Sequence, residues 1–250
     1  NLYNADLGWF MGRNDDGSFR VTNASNYNPQ SWWGDYTETN GYNMAYSVPQ
    51  DGQGLANLYG GREELGKKLD GLFNTQCQDT RTGTDTIHEE MEAREVKMGL
   101  YGHSNQPSHH IPYMYNYAGQ PWKTQEKVRE VMDRLYVGSE IGQGYCGDED
   151  NGEMSAWYVL SALGIYPVSM GNPEFAIGSP LFDKATIHLD GKTDAAHTFT
   201  ITANNNSREN VYVQSVKLNG KAYDKTSIQH ADLAAGGTLE FEMGSAPSTW

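Results

Sequence analysis

The first part of the chain carries apolar residues at the spacing of a helix. Within residues 62–73, four of them fall on one helical face: Leu65, Leu69, Leu72 and Phe73. Glycine, proline and asparagine separate further helices, which we predict at residues 86–98, 108–117, 122–136 and 152–163. The last of these is apolar around most of its circumference, a pattern typical of a helix buried within a large assembly.

After Pro167 the pattern changes to short runs that are rich in β-branched and aromatic residues. These runs predict strands at residues 185–189, 198–203, 210–218 and 238–243. Asn219-Gly220 and Gly236-Gly237 are turn signals, and they favour an antiparallel sheet or sandwich stacked on the helices. We therefore predict a helical portion at residues 1–169 and a β-strand region at residues 170–250.

The composition indicates a folded, acidic protein. Hydrophobic residues make up 37% of the 250 residues, which is enough for a packed core. The net charge of −14 has the wrong sign for binding a phosphate backbone, so we expect no nucleic acid partner. The longest apolar run, residues 156–168, is shorter than the ~18 to 20 residues that a membrane helix needs, so we expect no membrane span.

The cysteines and the first residue of the chain bear on its cellular context. Cys77 and Cys146 allow at most one disulfide bond and exclude a four-cysteine zinc site. The chain begins at Asn1 and shows neither an initiator methionine nor a signal-peptide pattern, so we expect it to be part of a longer polypeptide.

Three consecutive carboxylates, Asp148, Glu149 and Asp150, stand between glycines directly before the apolar helix. Clustered carboxylates raise one another's proton affinity, and the start of a helix adds a partial positive charge. The group therefore suits a general base or a cation ligand. An acidic turn that caps the helix is the alternative, and the tripeptide alone favours the cap because Asp and Asn are common at helix starts.

A second polar segment, residues 101–113, concentrates three histidines with amides and a tyrosine. His109 and His110 are adjacent, whereas paired zinc ligands on a helix are four residues apart, so the segment does not indicate a zinc site. Its many donors and acceptors suit a polyhydroxylated ligand. Packing of helix termini by hydrogen-bonded polar residues is an equally good interpretation.

Glu38 lies in an aromatic segment, residues 32–42, together with Trp32, Trp33 and Tyr36. Burial among such rings would raise the proton affinity of Glu38, as required of a general acid that protonates a glycosidic oxygen, and the ring faces suit stacking on sugars. The alternative is that the rings are core anchors and Glu38 an exposed cap. Inverting hydrolysis also requires a base about 6.5 to 9.5 Å from the acid, a distance that only a structure provides.

Taken in order, these segments resemble the C-terminal part of glycoside hydrolase family 92, the calcium-dependent, inverting, exo-acting α-mannosidases. The matching segments extend over nearly the whole chain: residues 11–20, 36–40, 48–51, 60–63, 105–111, 115–125, 147–152, 154–158 and 164–167. So many segments in the same order are not expected by coincidence.

The resemblance implies an α+β multidomain fold, in which later helices of an (α/α)6 barrel are followed by antiparallel β-sandwich strands. It implies that the N-terminal half of the architecture comes from the same polypeptide or from a companion chain. It further implies hydrolysis of terminal α-mannosides with inversion, mannose-containing glycans as partners, and a secreted, periplasmic or cell-surface location.

The resemblance also assigns roles to individual residues. Glu38 resembles the general acid, and Asp148 and Asp150 resemble the pair that positions and deprotonates water. Asn40, Gln106 and Asp150 fall near the expected Ca²⁺ ligands; calcium makes physical sense because it accepts carboxylate, amide and hydroxyl oxygens together. The residues expected to contact the substrate are Trp33, Asn40, His88, Glu89, His103, Asn105, His109 and His110. For His88-Glu89 a surface position is an equally good interpretation.

Three residues near the expected pocket depart from the family pattern. Thr39 replaces a usual glycine, Gln50 a usual histidine and Gln106 a usual glutamate. The change at Gln106 removes a negative charge, which would weaken the attraction of calcium or relieve the repulsion of an anionic substrate. Two other hypotheses therefore stay open: a sugar-binding relative that has lost activity, and a calcium-binding helical module.

Overall fold

A computed structural model of the protein describes residues 1–32, 34–78, 87–137, 144–192, 194 and 197–250. Helices predominate as far as residue 162. The described residues contain α1 (Gly41–Met44), α2 (Gly52–Leu58), α3 (Arg62–Asn74), α4 (His88–Glu95), α5 (Pro121–Leu135), α6 (Glu153–Ala162) and the short α7 (His230–Ala234). Among these residues, no helix is both long and apolar enough to cross a bilayer.

The helical core is built by the two longest helices. The four apolar residues predicted to share one face of α3 are all buried, and α5 buries Val128, Val131, Met132 and Leu135. Proline at the first position of α5 starts that helix without loss of a hydrogen bond. Both faces join one hydrophobic core with Tyr46, Leu55 and Trp157.

The structure corrects the prediction of an α-helix at residues 108–117. The structure has two 3₁₀ helices there instead, Gln106–Ser108 and Ile111–Asn116. Pro107 and Pro112 each lack an amide N–H and fix the backbone at the first turn, which favours two short, tight segments over one continuous α-helix.

Within this chain α6 is buried along one face only, and its burial within a larger assembly stays a prediction. Trp157 and Met154 are buried, but Val159 is 56% exposed and Ala156 is exposed. Its buried face packs against α5, against the strand that follows α6 and against residues 103–113, where Trp157 Nε1 donates to the His109 carbonyl oxygen.

The strands follow in three sheets. A hairpin near the N-terminus pairs β1 (Tyr3–Asn4) with β2 (Trp9–Phe10). The other strands are β3 (Ile165–Tyr166), β4 (Glu174–Ile177), β5 (Lys184–His188), β6 (Thr198–Asn204), β7 (Tyr212–Leu218), β8 (Lys221–Tyr223), β9 (Ser227–Gln229) and β10 (Gly237–Gly244). One sheet has the order β5-β6-β10-β7-β8 and another the order β3-β4-β9.

The larger sheet is mixed, which corrects the prediction of an antiparallel one. β10 is antiparallel to β7 but parallel to β6, with Leu239 opposite Ile201. Because β10 follows α7 rather than a tight hairpin, it is free to enter the sheet in the direction of β6. The predicted turn at Asn219-Gly220 is confirmed: both residues have positive φ, 51° and 75°, and they join β7 to β8.

The two C-terminal sheets share a second hydrophobic core, which includes Ile165, Ile177, Phe199, Val216, Ile228 and Phe241. Arg129 of α5 links the helices to this region. Its buried guanidinium donates to the Pro180 carbonyl oxygen at 2.6 Å, to Asn206 Oδ1 at 2.9 Å and to the Ser207 carbonyl oxygen at 2.8 Å. The boundary at residue 170 and the place of the helices in an (α/α)6 barrel stay predictions.

Candidate active site

Three loops that are distant in the sequence meet at one place. Asn105 of the middle loop, residues 102–110, donates a hydrogen bond to Glu38 in the loop before α1. Its neighbour Gln106 donates one to the carboxylate of Asp150, which lies in the acidic loop, residues 147–152, before α6. One pair of adjacent residues therefore contacts both the expected general acid and one of the expected bases.

Glu38 is placed by a backbone turn and by the start of α1. Its φ angle is 54°, in the left-handed region that residues with a side chain seldom occupy. Two residues later Asn40 caps α1, because Asn40 Oδ1 accepts hydrogen bonds from Asn43 N at 3.0 Å and from Asn43 Nδ2 at 2.9 Å. The cap fixes where this loop ends and so where Glu38 stands.

The Glu38 side chain is exposed, so its expected burial among aromatic rings is wrong for this chain. Trp32 and Tyr36 are buried, and the Tyr36 hydroxyl donates to the Phe10 carbonyl oxygen at 2.5 Å. These rings face the protein interior as core anchors rather than surrounding the carboxylate. Trp33, expected to contact the sugar, lies outside the described residues.

Asn105 has its polar side-chain atoms engaged within the protein. Nδ2 donates to the Glu38 carbonyl oxygen at 2.9 Å and lies 3.3 Å from Glu38 Oε2. Oδ1 accepts from the backbone N–H of Gln106 at 3.0 Å. With only 5% of its surface exposed, Asn105 connects Glu38 firmly to the middle loop.

The three carboxylates of the acidic loop differ in their contacts. Glu149 caps α6 by accepting hydrogen bonds from the N–H groups of Gly152 and Ser155. Hydrogen bonds from Ser155 and from the Gly152 N–H favour the charged form and lower the pKa of Glu149. Asp148 and Asp150 are exposed. The alternative reading of the group as a cap therefore holds for its middle member.

His88 and Glu89 lie on α4 beside Asp148. His88 Nε2 is 3.2 Å from Glu89 Oε1, and Nδ1 is 3.3 Å from Glu92 Oε1. Burial opposes protonation of His88, but the hydrogen bond to Glu92 and the charges of Glu89, Glu92 and Asp148 outweigh it and raise the His88 pKa. Burial, assisted by the charge of Asp148, raises the pKa of Glu92. Asp148 therefore lies near the side chains of both His88 and Glu92.

His103 and His109 are stacked inside the protein, with ring centroids 4.7 Å apart. The Tyr136 hydroxyl donates to the Met154 carbonyl oxygen, so His103 Nε2 donates to the Tyr136 oxygen at 2.8 Å and Nδ1 accepts from the Tyr101 hydroxyl at 2.7 Å. Burial lowers the pKa of His103 well below its usual range. The ring is therefore a neutral structural link.

His109 and His110 complete the support of the middle loop. His109 Nε2 donates to the His103 carbonyl oxygen at 3.0 Å, and His110 Nε2 donates to the Tyr46 carbonyl oxygen at 2.6 Å. Burial lowers the pKa of both, to about 4 for His109. His109 Nδ1 lies 4.0 Å from Glu153 Oε1 and makes no hydrogen bond within the described residues.

Sequence reasoning missed two residues that hold the loops in place. Asn43 Oδ1 accepts from the N–H of Gly102 at 3.1 Å and from Ser108 Oγ at 2.9 Å, so it fastens the middle loop to α1. Gly147 packs so closely on that loop that a Cβ atom would lie 2.3 Å from the Ser104 carbonyl oxygen. The signals were the Asn-x-x-Asn spacing at a helix start and the glycine before the acidic group.

The chain matches a known catalytic domain over almost its whole length. The model of the glycosyl hydrolase family 92 catalytic domain covers residues 1–245. The chain belongs to glycosyl hydrolase family 92. The match includes all three loops of the candidate site.

Solved members of family 92 are similar to the chain in sequence and fold. An inverting mannosidase of Bacteroides thetaiotaomicron is 39% identical, with a TM-score of 0.81 over 99% of this chain and 32% of that one. An α-mannosidase of the same bacterium, in complex with mannoimidazole, is 32% identical, with a TM-score of 0.86 over 99% of this chain and 31% of that one. The chain thus spans about a third of their length.

A curated fungal protein gives the same family-level picture. An "uncharacterized secreted glycosidase" of Arthroderma benhamiae is 28% identical over 207 residues, which are 82% of this chain and 23% of that protein.

The family 92 resemblance implies calcium, and the three expected ligands fit it unequally. Gln106 uses Nε2 on Asp150, which leaves its amide oxygen for a cation next to a carboxylate. The Asn40 oxygen already accepts two hydrogen bonds inside a buried cap, so it fits less well. In the parts of the chain that the structure describes, no group of three or more His, Cys, Asp or Glu side chains is arranged to hold a metal.

Two of the departures from the family 92 pattern differ in setting. Thr39 is buried directly after Glu38, and its hydroxyl has no hydrogen-bond partner among the described residues. Gln50 is exposed within the 3₁₀ helix Pro49–Asp51. Thr39 therefore bears directly on the placement of Glu38, whereas Gln50 lies at the surface of this chain.

Proposed function

We propose that the polypeptide carrying this chain is an exo-acting α-mannosidase that hydrolyses terminal α-mannosides of glycans with inversion of configuration. The contact of adjacent residues Asn105 and Gln106 with Glu38 and Asp150 carries the proposal. This contact joins two carboxyl groups from distant parts of the chain, and glycoside hydrolysis uses such a pair. The solved mannosidases of the family suggest the substrate class.

In the proposed reaction, Glu38 donates its proton to the glycosidic oxygen as the bond from that oxygen to the anomeric carbon breaks. Asp150, together with Asp148, accepts a proton from water, whose oxygen bonds to the anomeric carbon on the opposite face. The leaving alcohol keeps the proton from Glu38, and β-mannose is released. Proton exchange with solvent then restores both groups, which their exposure permits.

We propose Ca²⁺ as the cofactor, with the Gln106 amide oxygen and Asp150 among its ligands. When bound, calcium supplies a template that orients neighbouring sugar hydroxyls. His88 and Glu89, which stand beside Asp148, are proposed contacts of the leaving group. The buried rings of His103, His109 and His110 instead support the middle loop, because their hydrogen bonds are made within the protein.

We propose a location outside the cytoplasm, in keeping with the name of the secreted fungal relative. Mannose-containing glycans are the proposed partners. The solved relatives are about three times as long as this chain, so we propose that residues outside it, on the same polypeptide or a companion chain, complete the substrate site.

The test is proton NMR of a panel of α-mannosides incubated with the full polypeptide, in calcium and again in excess chelator. We expect the anomeric signal of β-mannose to appear first and to depend on calcium. Initial release of α-mannose would overturn inversion. Binding of mannosides without any release would support a sugar-binding relative instead.

A further inference from the structure

The backbone of Glu38 is held in a conformation that its own residue type disfavours. A φ of 54° is natural for glycine, and residues with a Cβ atom adopt it only where their surroundings impose it. One contact that holds it there is the hydrogen bond from Asn105 Nδ2 to the Glu38 carbonyl oxygen, at 2.9 Å.

The same amide also contacts the carboxylate. Asn105 Nδ2 lies 3.3 Å from Glu38 Oε2, so one NH₂ group faces both the backbone and the side chain of Glu38. In a protonated carboxyl group the carbonyl oxygen is the better acceptor of an N–H. The contact at Oε2 therefore favours Oε1 as the oxygen that carries the proton of a protonated Glu38.

Asn105 is itself held rigidly. Its Oδ1 accepts from the Gln106 N–H, and its backbone N–H donates to the Gly102 carbonyl oxygen at 3.2 Å. Asn43 fastens both sides of this turn, through the Gly102 N–H and Ser108 Oγ. Side chains locked in this way hold a reacting group within the narrow geometry that catalysis needs.

We infer that Asn105 is a positioning residue for the general acid, not a sugar ligand, and that it orients Glu38 so that Oε1 delivers the proton. The inference rests on the proposed function. It departs from the substrate contact that the family resemblance implies, because Asn105 is buried and its side chain is already engaged at both of its polar atoms.

The experiment compares Asn105→Asp and Asn105→Ala with the parent in the full polypeptide. Aspartate keeps the volume and the oxygen that accepts from Gln106 but cannot donate to Glu38. Each variant is assayed on dinitrophenyl α-mannoside, whose leaving group departs without a proton, and on methyl α-mannoside, whose leaving group requires one. Asn206→Ala is the matched control, because that amide contacts Arg129 and the Leu181 carbonyl oxygen, away from Glu38.

We expect both Asn105 variants to lose roughly 10- to 100-fold in kcat/KM on methyl α-mannoside and less than about threefold on the dinitrophenyl substrate. Asn206→Ala is expected to show the same ratio of the two substrates as the parent. Equal losses on both substrates in the Asn105 variants would overturn the inference, because they would indicate sugar binding. Failure of both variants to fold would also overturn it, by assigning Asn105 a structural role.

Glu38→Gln separates this inference from the proposed function. It should show the same leaving-group dependence with a larger loss. If the parent cleaves no α-mannoside, or if Glu38→Gln shows no leaving-group dependence, the proposed function or the role of Glu38 fails. If Glu38→Gln behaves as expected while the Asn105 variants match the parent, only the positioning role of Asn105 fails.

Discussion

Gln106 donates its side-chain amide to the Asp150 carboxylate and so joins the middle loop to the acidic loop. A glutamine suits this place because it offers an N–H to the carboxylate and an oxygen beside it. A glutamate, the residue usual at this position in family 92, would offer only acceptors. Two carboxylates in contact repel each other unless a cation or a proton lies between them. In this chain a neutral amide performs that bridging.

Replacing Gln106 by Glu is expected to make the junction depend on a cation. In chelator the variant should lose about 0.5 to 1.5 kcal/mol of unfolding free energy, the usual net value of a hydrogen bond, because the contact is exposed to solvent, and calcium should restore it. Urea unfolding of the full polypeptide with and without calcium measures this. Gln53→Glu, on the exposed side of α2, is the matched control and should respond to calcium as the parent does. An identical calcium response in the two variants would contradict the prediction.

Glu38→Gln is expected to reduce kcat roughly 10²- to 10⁴-fold on mannosides whose leaving group needs a proton, because it removes a general acid without changing its size. The unfolding free energy should change by no more than about 0.5 kcal/mol, since the side chain is exposed. Steady-state kinetics and urea unfolding check the two parts. Glu63→Gln, similarly exposed on α3, should leave kcat unchanged, and unchanged kcat in Glu38→Gln would remove that residue as the acid.

Gly147→Ala is expected to separate the acidic loop from the middle loop. The residue has a φ of 79°, and the added Cβ atom would meet the Ser104 carbonyl oxygen at 2.3 Å, so backbone strain adds to overpacking. We expect a loss of about 2 to 4 kcal/mol in urea unfolding and a lower kcat/KM. Gly17→Ala carries similar strain, at a φ of 83°, but meets open space. Equal losses in the two variants would show that the close approach is unimportant.

The buried histidines are expected to make the protein less stable in acid. Burial lowers the pKa of His103, His109 and His110, so below about pH 6.5 the unfolded chain binds protons that the folded chain refuses. The contribution of these histidines to the unfolding free energy is therefore highest above pH 6.5, where they are neutral in both states, and it declines as the pH falls towards 4. For His109, with a pKa of about 4, this amounts to about 3 kcal/mol. His88, with a raised pKa, acts in the opposite direction, but it is mostly exposed and contributes less.

Urea unfolding at pH 7.5 and pH 5 checks the histidine prediction. His109→Gln keeps an N–H donor for the His103 carbonyl oxygen but does not titrate, so it should flatten the pH dependence. His188→Gln, at an exposed position of β5, should leave it unchanged. A pH dependence that is undiminished in His109→Gln would assign the acid sensitivity to groups other than His109.

Features that depend on near neighbours in the chain were predictable. The face of α3, the proline start of α5 and the hairpin at Asn219-Gly220 follow from the spacing of a few residues. The parallel pairing of β10 with β6 was not predictable, because it depends on the path of the chain through α7 rather than on the composition of either strand.

The candidate site divides in the same way. Glu38, Asp148 and Asp150 were singled out by local composition and by the family resemblance. That Glu149 caps α6 while its neighbours remain exposed depends on a single left-handed turn through Asp150 and Gly152, which spacing does not specify. The contact of Asn105 with Glu38 joins residues that only the tertiary fold brings together.

The guanidinium of Arg129 limits which parts of this chain can be exchanged for parts of another protein. It is buried, and its partners are two carbonyl oxygens and an amide from the segments around the strands. Exchanging the strand region for that of an unrelated protein would leave this charge without acceptors, at a cost of about 3 to 5 kcal/mol. The helices and strands of this chain should therefore be exchanged together. A chimera that separates them would need Arg129 replaced by an uncharged residue at the same time.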